Sequence, residues 1–403
     1  MTVQVSTLPA RPEVAAARRV VLKLGTRVLT HDDGRLALSR LFTVVEAAGE
    51  LARRGREVLV VSSGAVGLGR DALGFTVTPD ELEERQACAA VGQSRLMGLY
   101  ETGFARLGMV CAQVLLTQSD FDDRSRYLNL RSTLETLLRH RVVPIINEND
   151  AVSTEELMLV SGERRRVFGD NDKLSALVAA ELDADLLVLL TDVPGVFERD
   201  PRLDPEARLL SRVDDPERLA AAAGASVSGA GRGGMRTKVE AATMVTRAGC
   251  HAVVASGRQP GTLASVLAGD EVGTWFPAKG TLDARRRWIA FAVASRGTLH
   301  LDAGAVEAVR RRGASLLAAG VRRIEGRFRR GDVVELRGPD GALIGRGMMH
   351  WDHETTRRWC SGHPPDEVKN RDALIHRRHL VLEGQRPEGV RAEEARLEEG
   401  VDA

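Results

Sequence analysis

The sequence predicts an α/β fold built on a parallel sheet, followed by a smaller domain made mainly of short strands. Over roughly the first 275 residues, apolar strand-like segments alternate with amphipathic helical segments. Strand–helix–strand units of this kind place their strands parallel in one sheet. Near residue 280 the composition changes, and arginine-rich short strands and turns replace the alternation. At 403 residues the chain exceeds one average domain, so two domains are expected.

The composition narrows the class of protein. Hydrophobic residues make up 43% of the chain and aromatic residues 4%, which predicts a sizeable aliphatic core. The formal net charge of +1 favours neither nucleic acid nor a membrane surface as a partner of the whole chain. The four cysteines are widely spaced and offer no disulfide framework, which favours a reducing cytoplasm. No apolar run reaches the roughly 18 residues of a membrane helix.

The elements of the first domain are predicted in a regular order, and each strand ends in a small or polar cluster. Ligands of open α/β sheets bind outside the carboxyl ends of the strands, so these clusters are expected to converge. In chain order the elements are a strand at 19–24 with a turn at 25–26, a helix at 36–54, strands at 58–61 and 110–116, a helix at 126–139, a strand at 142–146, a helix at 174–182, and strands at 186–190 and 251–255.

The remaining segments complete the predicted organisation. Residues 281–330 hold twelve arginines and four acidic residues, and short strands are expected at 288–293, 298–301, 331–336 and 342–344. The last 21 residues hold seven acidic residues and little that is apolar, which is typical of a disordered tail. The predicted domains are a disordered leader at 1–18, an α/β domain at 19–275, a small β domain at 284–375 and an acidic tail at 383–403.

A glycine-rich stretch from 229 to 238 ends in Lys238 and leads into a helical pattern at 239–248. Free backbone N–H groups, a cation and a helix N-terminus at one point favour an anion, most often a phosphate. The lysine does not follow its glycine in the P-loop order, so this is not a P-loop. A flexible surface loop is the simpler alternative.

Polar residues at the strand ends supply further candidates. Lys23 lies inside an apolar strand, where a lysine is costly unless it meets an anion or reaches water at the strand end. Ser63 follows the second strand and presents a hydroxyl and backbone N–H groups, although a serine–glycine turn after a strand is common. No nucleophile elbow surrounds it, which excludes a serine hydrolase.

Two strings of Asn and Asp follow, at 147–150 and 170–172. They could orient a substrate amine, hold a water or position the lysines, and the second string could also be an ordinary helix N-cap. Thr191 and Asp192 close a strand and could contact a nucleotide or simply form a turn. His350 and His353 have no third ligand nearby in sequence, so a solvated loop is preferred to a metal site.

Seven motifs in a fixed order resemble the glutamate 5-kinase family of the amino acid kinase superfamily, whose members carry a C-terminal PUA domain. The resemblance covers roughly residues 19–375. Its motifs are VLKLGT at 21–26, VSSGA at 61–65, AVGQS at 90–94, PIINEND at 144–150, GDNDKLSA at 169–176, LLTD at 189–192 and GGMRTK at 233–238.

The resemblance implies a three-layer αβα sandwich and ATP-dependent phosphorylation of the γ-carboxylate of L-glutamate, the first step of proline biosynthesis. It implies that Lys23 and Lys238 flank the transferred phosphoryl group, that Asp170 holds both lysines, and that Mg²⁺ accompanies ATP. It assigns glutamate to Ser63, Asp150 and Asn171. It assigns ATP to Lys23, Thr191, Asp192, Arg232, Gly233, Gly234, Met235, Arg236, Thr237 and Lys238.

The resemblance also implies feedback inhibition by proline and a homodimer or homotetramer. Arginines at 27, 232 and 236 depart from the family pattern and could either contact ATP or face solvent. The segment between Asp150 and Asp170 is longer than usual, which bears on inhibition by proline. Two rival functions stay open at this point. One is an amino acid kinase with a different acceptor. The other is an RNA-binding PUA protein, for which the arginine-rich segment is the motive. A solvated face or a contact to the first domain is preferred for that segment, because aromatic stacking residues are scarce.

Overall fold

The computed structural model describes residues 10–31, 35–152, 171–223, 234–280, 283–365 and 373–383. The chain divides into two compact units, Met1–Lys279 and Gly280–Ala403, each with its own hydrophobic core.

The first unit is built on a seven-stranded, mainly parallel sheet, as the sequence predicts. The strands lie in the order β3-β4-β2-β1-β5-β6-β7, and only β7 runs antiparallel to its neighbour. The central strand β1 is buried along nearly its whole length because apolar side chains occupy both of its faces. The strands are β1 Arg19–Leu24, β2 Glu57–Ser62, β3 Cys111–Leu116, β4 Val143–Glu148, β5 Leu186–Thr191, β6 His251–Ser256 and β7 Thr274–Phe276.

Helices connect and flank these strands. They are α1 Pro12–Ala15, α2 Thr26–Leu29, α3 Leu38–Arg53, α4 Ala65–Ala72, α5 Leu82–Arg106, α6 Ser119–Asp122, α7 Arg124–Arg139, α8 Asn171–Glu181, α9 Pro216–Ala223, α10 Met235–Arg247 and α11 Thr262–Ala268. None of the helices in the described part of the chain has the length and apolar character that a membrane span needs.

The 25-residue helix α5 was not predicted, and it packs against α4 at unusually short range. A Cβ atom at Gly92 would stand 1.7 Å from the carbonyl oxygen of Ala65, so only glycine fits at this crossing. The turn before α4 also requires glycine, because Gly64 has a φ of 98°. The crossing therefore places the middle of α5 beside the carboxyl end of β2.

Residues 10–18, which were predicted to belong to a disordered leader, are ordered in the structure. The guanidinium group of Arg11 is buried and donates hydrogen bonds of 2.8, 2.9 and 3.2 Å to the carbonyl oxygens of Val272, Ser211 and Gly273. These acceptors are backbone atoms more than 190 residues away, so no local pattern reveals the contact. Residues 1–9 lie outside the described residues.

The second unit contains a five-stranded sheet in the order β12-β11-β10-β8-β9, together with short helices. Its sheet is mostly antiparallel, with one parallel pair between β8 and β10. The elements are α12 Ala284–Arg287, β8 Gly297–Leu301, α13 Ala303–Arg312, β9 Val321–Gly326, β10 Val333–Arg337, β11 Leu343–Met348, α14 His353–Cys360 and β12 Leu380–Leu382.

The predicted strand at 288–293 is wrong. Residues Trp288–Ala292 form a π-helical turn that continues α12. The turn buries Trp288, Ile289 and Val293 together. An apolar run of six residues fits a strand or a helix equally well by pattern, and packing decides between them. The sheet also extends past the predicted end at residue 375, because β12 pairs with β11.

Candidate active site

Two lysines meet one carboxylate at the carboxyl edge of the larger sheet. Lys23 Nζ lies 2.5 Å from Asp172 Oδ1, and Lys238 Nζ lies 3.0 Å from Asp172 Oδ2. The three residues are only 3%, 0% and 5% exposed, respectively. A buried charge is stable only when it is paired and hydrogen-bonded. The three charges therefore form a buried, mutually compensating cluster and not a surface ion pair.

Each member of the cluster is held by a different element. Lys23 projects from the central strand β1, which hydrogen-bonds to β2 on one side and β5 on the other. Asp172 lies in the first turn of α8 and Lys238 in the first turn of α10, and these two helices pack against each other. Neighbouring Thr237 donates a hydrogen bond of 2.8 Å to Asp172 Oδ2. Rigid elements therefore fix all three charges.

The electrostatics keep the carboxylate ionised. Burial alone would raise the pKa of Asp172, but the ammonium groups of Lys23 and Lys238 and the hydroxyl of Thr237 outweigh it, so the pKa lies below its ordinary value. Both carboxylate oxygens are engaged with these partners. Asp172 is therefore suited to positioning the lysines and unsuited to accepting a proton from a substrate.

The carboxylate that bridges the lysines is thus Asp172. The family resemblance predicts this role for Asp170, which lies outside the described residues, so the role of Asp170 stays a prediction. Asp172 could have been considered from the sequence, because it stands with Asp170 and Asn171 within one turn at the start of a predicted helix. Its distance from both lysines was not visible in the pattern.

Neutral polar side chains form a second cluster next to the first. Asn171 Nδ2 lies 2.8 Å from Ser63 Oγ, 3.0 Å from Asn147 Oδ1 and 3.1 Å from the carbonyl oxygen of Ser62. Asn147 Nδ2 in turn donates to Gln93 Oε1 at 2.9 Å. Of the predicted glutamate-binding residues, the structure brings Ser63 and Asn171 into direct contact. Asp150 lies in the turn that follows β4.

Gln93 has no role predicted from the sequence, and Asn147 is predicted only as one member of the 147–150 string with its several possible roles. Their contact joins α5 to β4 across 54 positions of sequence, so no local signal could reveal it. Ser62 is fixed on the other side by Tyr100 of α5, whose hydroxyl lies 2.8 Å from Ser62 Oγ. Burial is the main cause that raises the pKa of Tyr100 well above its ordinary value, so this hydroxyl stays protonated.

The predicted nucleotide-binding residues Thr191 and Asp192 lie at the carboxyl end of β5, next to β1. Thr191 Oγ1 donates to Asp192 Oδ1 at 3.1 Å, and Arg27 Nη1 lies 3.3 Å from Asp192 Oδ2. Burial alone would raise the pKa of Asp192, but these hydrogen bonds and one from its own backbone leave the pKa lowered. Arg27 is 66% exposed, in contrast to the buried lysines.

The glycine-rich stretch is described from Gly234 onward, while Arg232 and Gly233 lie outside the described residues. Gly234 is the N-cap of α10, so Met235, Arg236, Thr237 and Lys238 form its first turn. The backbone N–H groups of a first helical turn have no partner within the helix and are suited to phosphate oxygens. Arg236 is exposed and its Nε lies 2.9 Å from Glu240 Oε1, one turn along the helix.

The second unit offers little support for the other sites considered. Asp352 caps α14 by accepting from the N–H of Thr355 at 2.8 Å, so the segment around His353 is a helix start rather than the predicted loop. Several arginines of the 281–330 segment pair with acidic neighbours, for example Arg322 with Asp302. These pairs are consistent with the solvated face that was preferred to RNA binding for this segment.

Comparison with known proteins agrees with this division. The sequence profile of the amino acid kinase family matches residues 18–256, and that of the PUA domain matches residues 297–369. Glutamate 5-kinases from Chromohalobacter salexigens and Myxococcus xanthus are each 47% identical to the chain, covering 93% and 92% of it and 98% of each relative. The glutamate 5-kinase of Pseudomonas putida strain GB-1 is 44% identical and covers 92% of this chain and 100% of the relative.

Proposed function

Because the chain belongs to the amino acid kinase family, and within it to the glutamate 5-kinases, we propose that it transfers the γ-phosphoryl group of ATP to the γ-carboxylate of L-glutamate. The product is γ-glutamyl phosphate, with which proline biosynthesis begins. The observation that carries the proposal is the pair of buried lysines held by Asp172 at the carboxyl edge of the sheet.

The reaction forms a bond between a γ-carboxylate oxygen and the γ-phosphorus while the bond from that phosphorus to the β,γ-bridging oxygen breaks, and ADP leaves. A glutamate side chain is already ionised at neutral pH, so no general base is required. Phosphoryl transfer instead asks the protein for positioning and for stabilisation of charge on the moving group. Two lysines in fixed positions meet this need, and engagement of both Asp172 oxygens is consistent with a positioning role.

The donor site lies on the β5 side of the cluster. Gly25 leaves room beside Lys23, because a Cβ atom there would stand 3.6 Å from Lys23 Nζ. The N–H groups of residues 234–238 and the side chains of Thr191 and Asp192 flank the same edge of the sheet. We assign the phosphates of ATP to the first turn of α10 and the rest of the nucleotide to the region of Thr191 and Asp192.

A divalent metal is typical of ATP-dependent phosphotransferases, and we propose that Mg²⁺ enters with ATP. The described residues contain no group of three or more His, Cys, Asp or Glu side chains placed to hold a metal. Both oxygens of Asp172 are engaged by lysines and Thr237. This donor set fits a Mg²⁺ ion held mainly by phosphate oxygens and water.

The acceptor site is assigned to the neutral cluster of Ser63, Asn147 and Asn171, together with Asp150. Asn171 precedes Asp172 directly, so a substrate held by Asn171 lies within reach of the lysine pair. The neutral members of this set can recognise the amino acid part of glutamate through hydrogen bonds without competing with the lysines for its γ-carboxylate.

The test is an assay of the purified full-length chain with MgATP and L-glutamate, with the acyl phosphate trapped by hydroxylamine as a hydroxamate. We expect ADP and hydroxamate in equal amounts. N-acetyl-L-glutamate and uridine monophosphate serve as rival acceptors, and phosphorylation of either in preference to glutamate would overturn the proposal. Repeating the assay with added proline tests feedback inhibition, which we propose for this chain by its relationship to the family.

A further inference from the structure

We propose that Gln93 is a positioning residue that makes the acceptor site select a free amino group. The proposal rests on the function proposed above and concerns how glutamate is distinguished from a dicarboxylate of the same length without an amine. It follows from the direction in which the amide side chains of the neutral cluster must point.

The direction is set at one end by a backbone atom. The carbonyl oxygen of Ser62 can only accept a hydrogen bond, and it lies 3.1 Å from the side-chain amide of Asn171. The atom of Asn171 that faces it must therefore be the donor, Nδ2. The two hydrogens of this Nδ2 are shared among three acceptors, because Ser63 Oγ and Asn147 Oδ1 lie 2.8 and 3.0 Å from the same nitrogen.

The orientation of the Asn171 amide also fixes the orientation of the Asn147 amide and its contact with Gln93 of α5. Because Asn147 presents its oxygen to Asn171, its Nδ2 must face the other way, and it donates to Gln93 Oε1 at 2.9 Å. Gln93 is therefore the acceptor that holds the far end of the chain of amides. Gln93 is only 8% exposed, and the close contact of Gly92 with α4 fixes the backbone beside it.

With its Nδ2 oriented in this way, Asn171 has a buried acceptor, Oδ1, on its other side. Among the described residues, Asn171 Oδ1 has no hydrogen-bond partner. A buried acceptor of this kind is costly unless a donor reaches it. Its neighbour Asp172 holds the lysine pair, so the ligand that meets Asn171 Oδ1 lies beside the reacting groups. The α-ammonium group of an amino acid supplies the required donor, with a charge that strengthens the hydrogen bond.

Removing the acceptor at Gln93 is expected to loosen this selection. Asn147 Nδ2 would then be buried without a hydrogen-bond partner, and this cost favours rotation of the Asn147 side-chain amide. A rotated Asn147 presents N–H to Asn171 Nδ2, which disfavours the orientation that points Asn171 Oδ1 at the ammonium group. Gln93 thus acts on the substrate through Asn147 and Asn171.

The experiment compares Gln93→Met with Gln93→Glu in the full-length protein. The methionine side chain keeps the length of glutamine and removes the acceptor. The side chain introduced by Gln93→Glu keeps an oxygen facing Asn147 in either protonation state. For each variant we would measure KM for L-glutamate, Ki for glutarate as a competitive inhibitor, KM for ATP and the melting temperature. Glutarate has both carboxylates and lacks the amine.

For Gln93→Met we expect KM for glutamate to rise about tenfold or more, since a charge-assisted hydrogen bond is weakened. Ki for glutarate and KM for ATP should stay within about threefold, because neither ligand uses the ammonium contact. Gln93→Glu should keep the wild-type ratio of glutamate KM to glutarate Ki. If the methionine variant does not fold, Gln93→Leu, which also lacks the acceptor, takes its place in the same comparison.

A parallel rise of glutamate KM and glutarate Ki in Gln93→Met would overturn the proposal, because it would show general damage to packing. Unchanged constants for both ligands in Gln93→Met would overturn it as well. So would a ratio of glutamate KM to glutarate Ki in Gln93→Glu that differs from the wild-type ratio. A wild-type enzyme that forms no γ-glutamyl phosphate would overturn the proposed function and this inference together. An active wild type with an unaltered ratio in Gln93→Met would overturn this inference alone.

Discussion

The two clusters at the carboxyl edge of the larger sheet are neighbours in space but differ in chemistry. One is fully charged, with Lys23 and Lys238 joined by Asp172. The other consists of neutral amides and hydroxyls that run from Ser63 through Asn171 and Asn147 to Gln93. Asn171 and Asp172 are adjacent at the start of α8, so one helical turn carries a member of each cluster.

The difference indicates a division of labour between rate and recognition. Charge develops on the transferred phosphoryl group in the transition state, and interactions that strengthen there raise kcat. The amino acid part of the substrate keeps the same charge throughout, so groups that bind it act on KM. Changes in the charged cluster should therefore lower kcat, and changes in the neutral cluster should raise KM for glutamate.

The largest effect is expected for Lys238→Met. Loss of one of two charges beside the moving phosphoryl group should lower kcat about 1,000-fold, while KM for glutamate changes less than about threefold. Steady-state kinetics with both substrates would measure it. Lys279→Met is the matched control, since Lys279 forms a partly exposed pair with Asp215 and should leave kcat unchanged. If Lys238→Met keeps more than a tenth of wild-type kcat, the charged cluster does not govern the rate of phosphoryl transfer.

Asp172→Asn should lower kcat about 100-fold, less than loss of a lysine. Both cations remain, but they lose the carboxylate that fixes them, and small misplacements of catalytic groups cost about this much. Asp185→Asn is the control. Its carboxylate accepts from the N–H groups of Arg18 and Arg19 at the other end of β1, so kcat should be unaffected. Equal losses in both variants would mean that Asp172 acts only on stability.

The same variant has a pH signature. The pKa of Asp172 is lowered in the folded protein, so its contribution to stability is fully present above about pH 4, the ordinary aspartate pKa. That contribution is lost as the pH falls through the lower, folded-state pKa. The wild type should therefore lose more stability than Asp172→Asn over this acidic range, as followed by denaturant unfolding at each pH. A steeper acid loss in the variant would contradict the ionised state of the carboxylate.

Two adjacent serines offer a sharper contrast within the neutral cluster. Ser63→Ala removes the hydroxyl next to Asn171 and should raise KM for glutamate about tenfold with little change in kcat. Ser62→Ala removes the partner of the buried Tyr100 hydroxyl and should cost about 1–3 kcal/mol of stability with KM unchanged. Kinetics and chemical denaturation of both variants would check the pair. An effect of Ser62→Ala on KM as large as that of Ser63→Ala would remove the distinction between binding and support.

The parallel sheet was predictable because its strands are continuous apolar runs that end in polar clusters. Strands β1, β2, β4, β5 and β6 begin and end within about two residues of the predicted bounds. The helix α5 was not predicted, because the residues it buries include Gly92 and Gln93 as well as apolar side chains. The turn at Trp288–Ala292 has an apolar run that fits either type of element, and only packing selects the helical form.

The charged cluster was predictable in part. Lys23 was conspicuous as a cation inside an apolar strand, and Lys238 as a cation at a helix start after glycines. Their partner was not determined, because Asp170 and Asp172 are two positions apart in sequence and the side chain that reaches the lysines depends on where the helix begins. The roles of Asn147 and Gln93 depend on a contact between residues far apart in sequence, which local patterns do not contain.

The smallest effect is expected for Arg27→Ser. This variant tests whether a cation near the site affects kcat only when it is buried, as the two lysines are, or also when it is exposed. Arg27 and Asp192 form an ion pair at 3.3 Å, but the arginine is largely in solvent, where such pairs contribute little. We expect kcat to change less than twofold and KM for ATP less than about threefold, as measured at low and at physiological ionic strength. A tenfold loss of kcat would mean that the guanidinium group leaves Asp192 and reaches the phosphates in the complex. The charged cluster would then extend beyond its buried core, and the contrast between rate and recognition would depend on charge and not on burial.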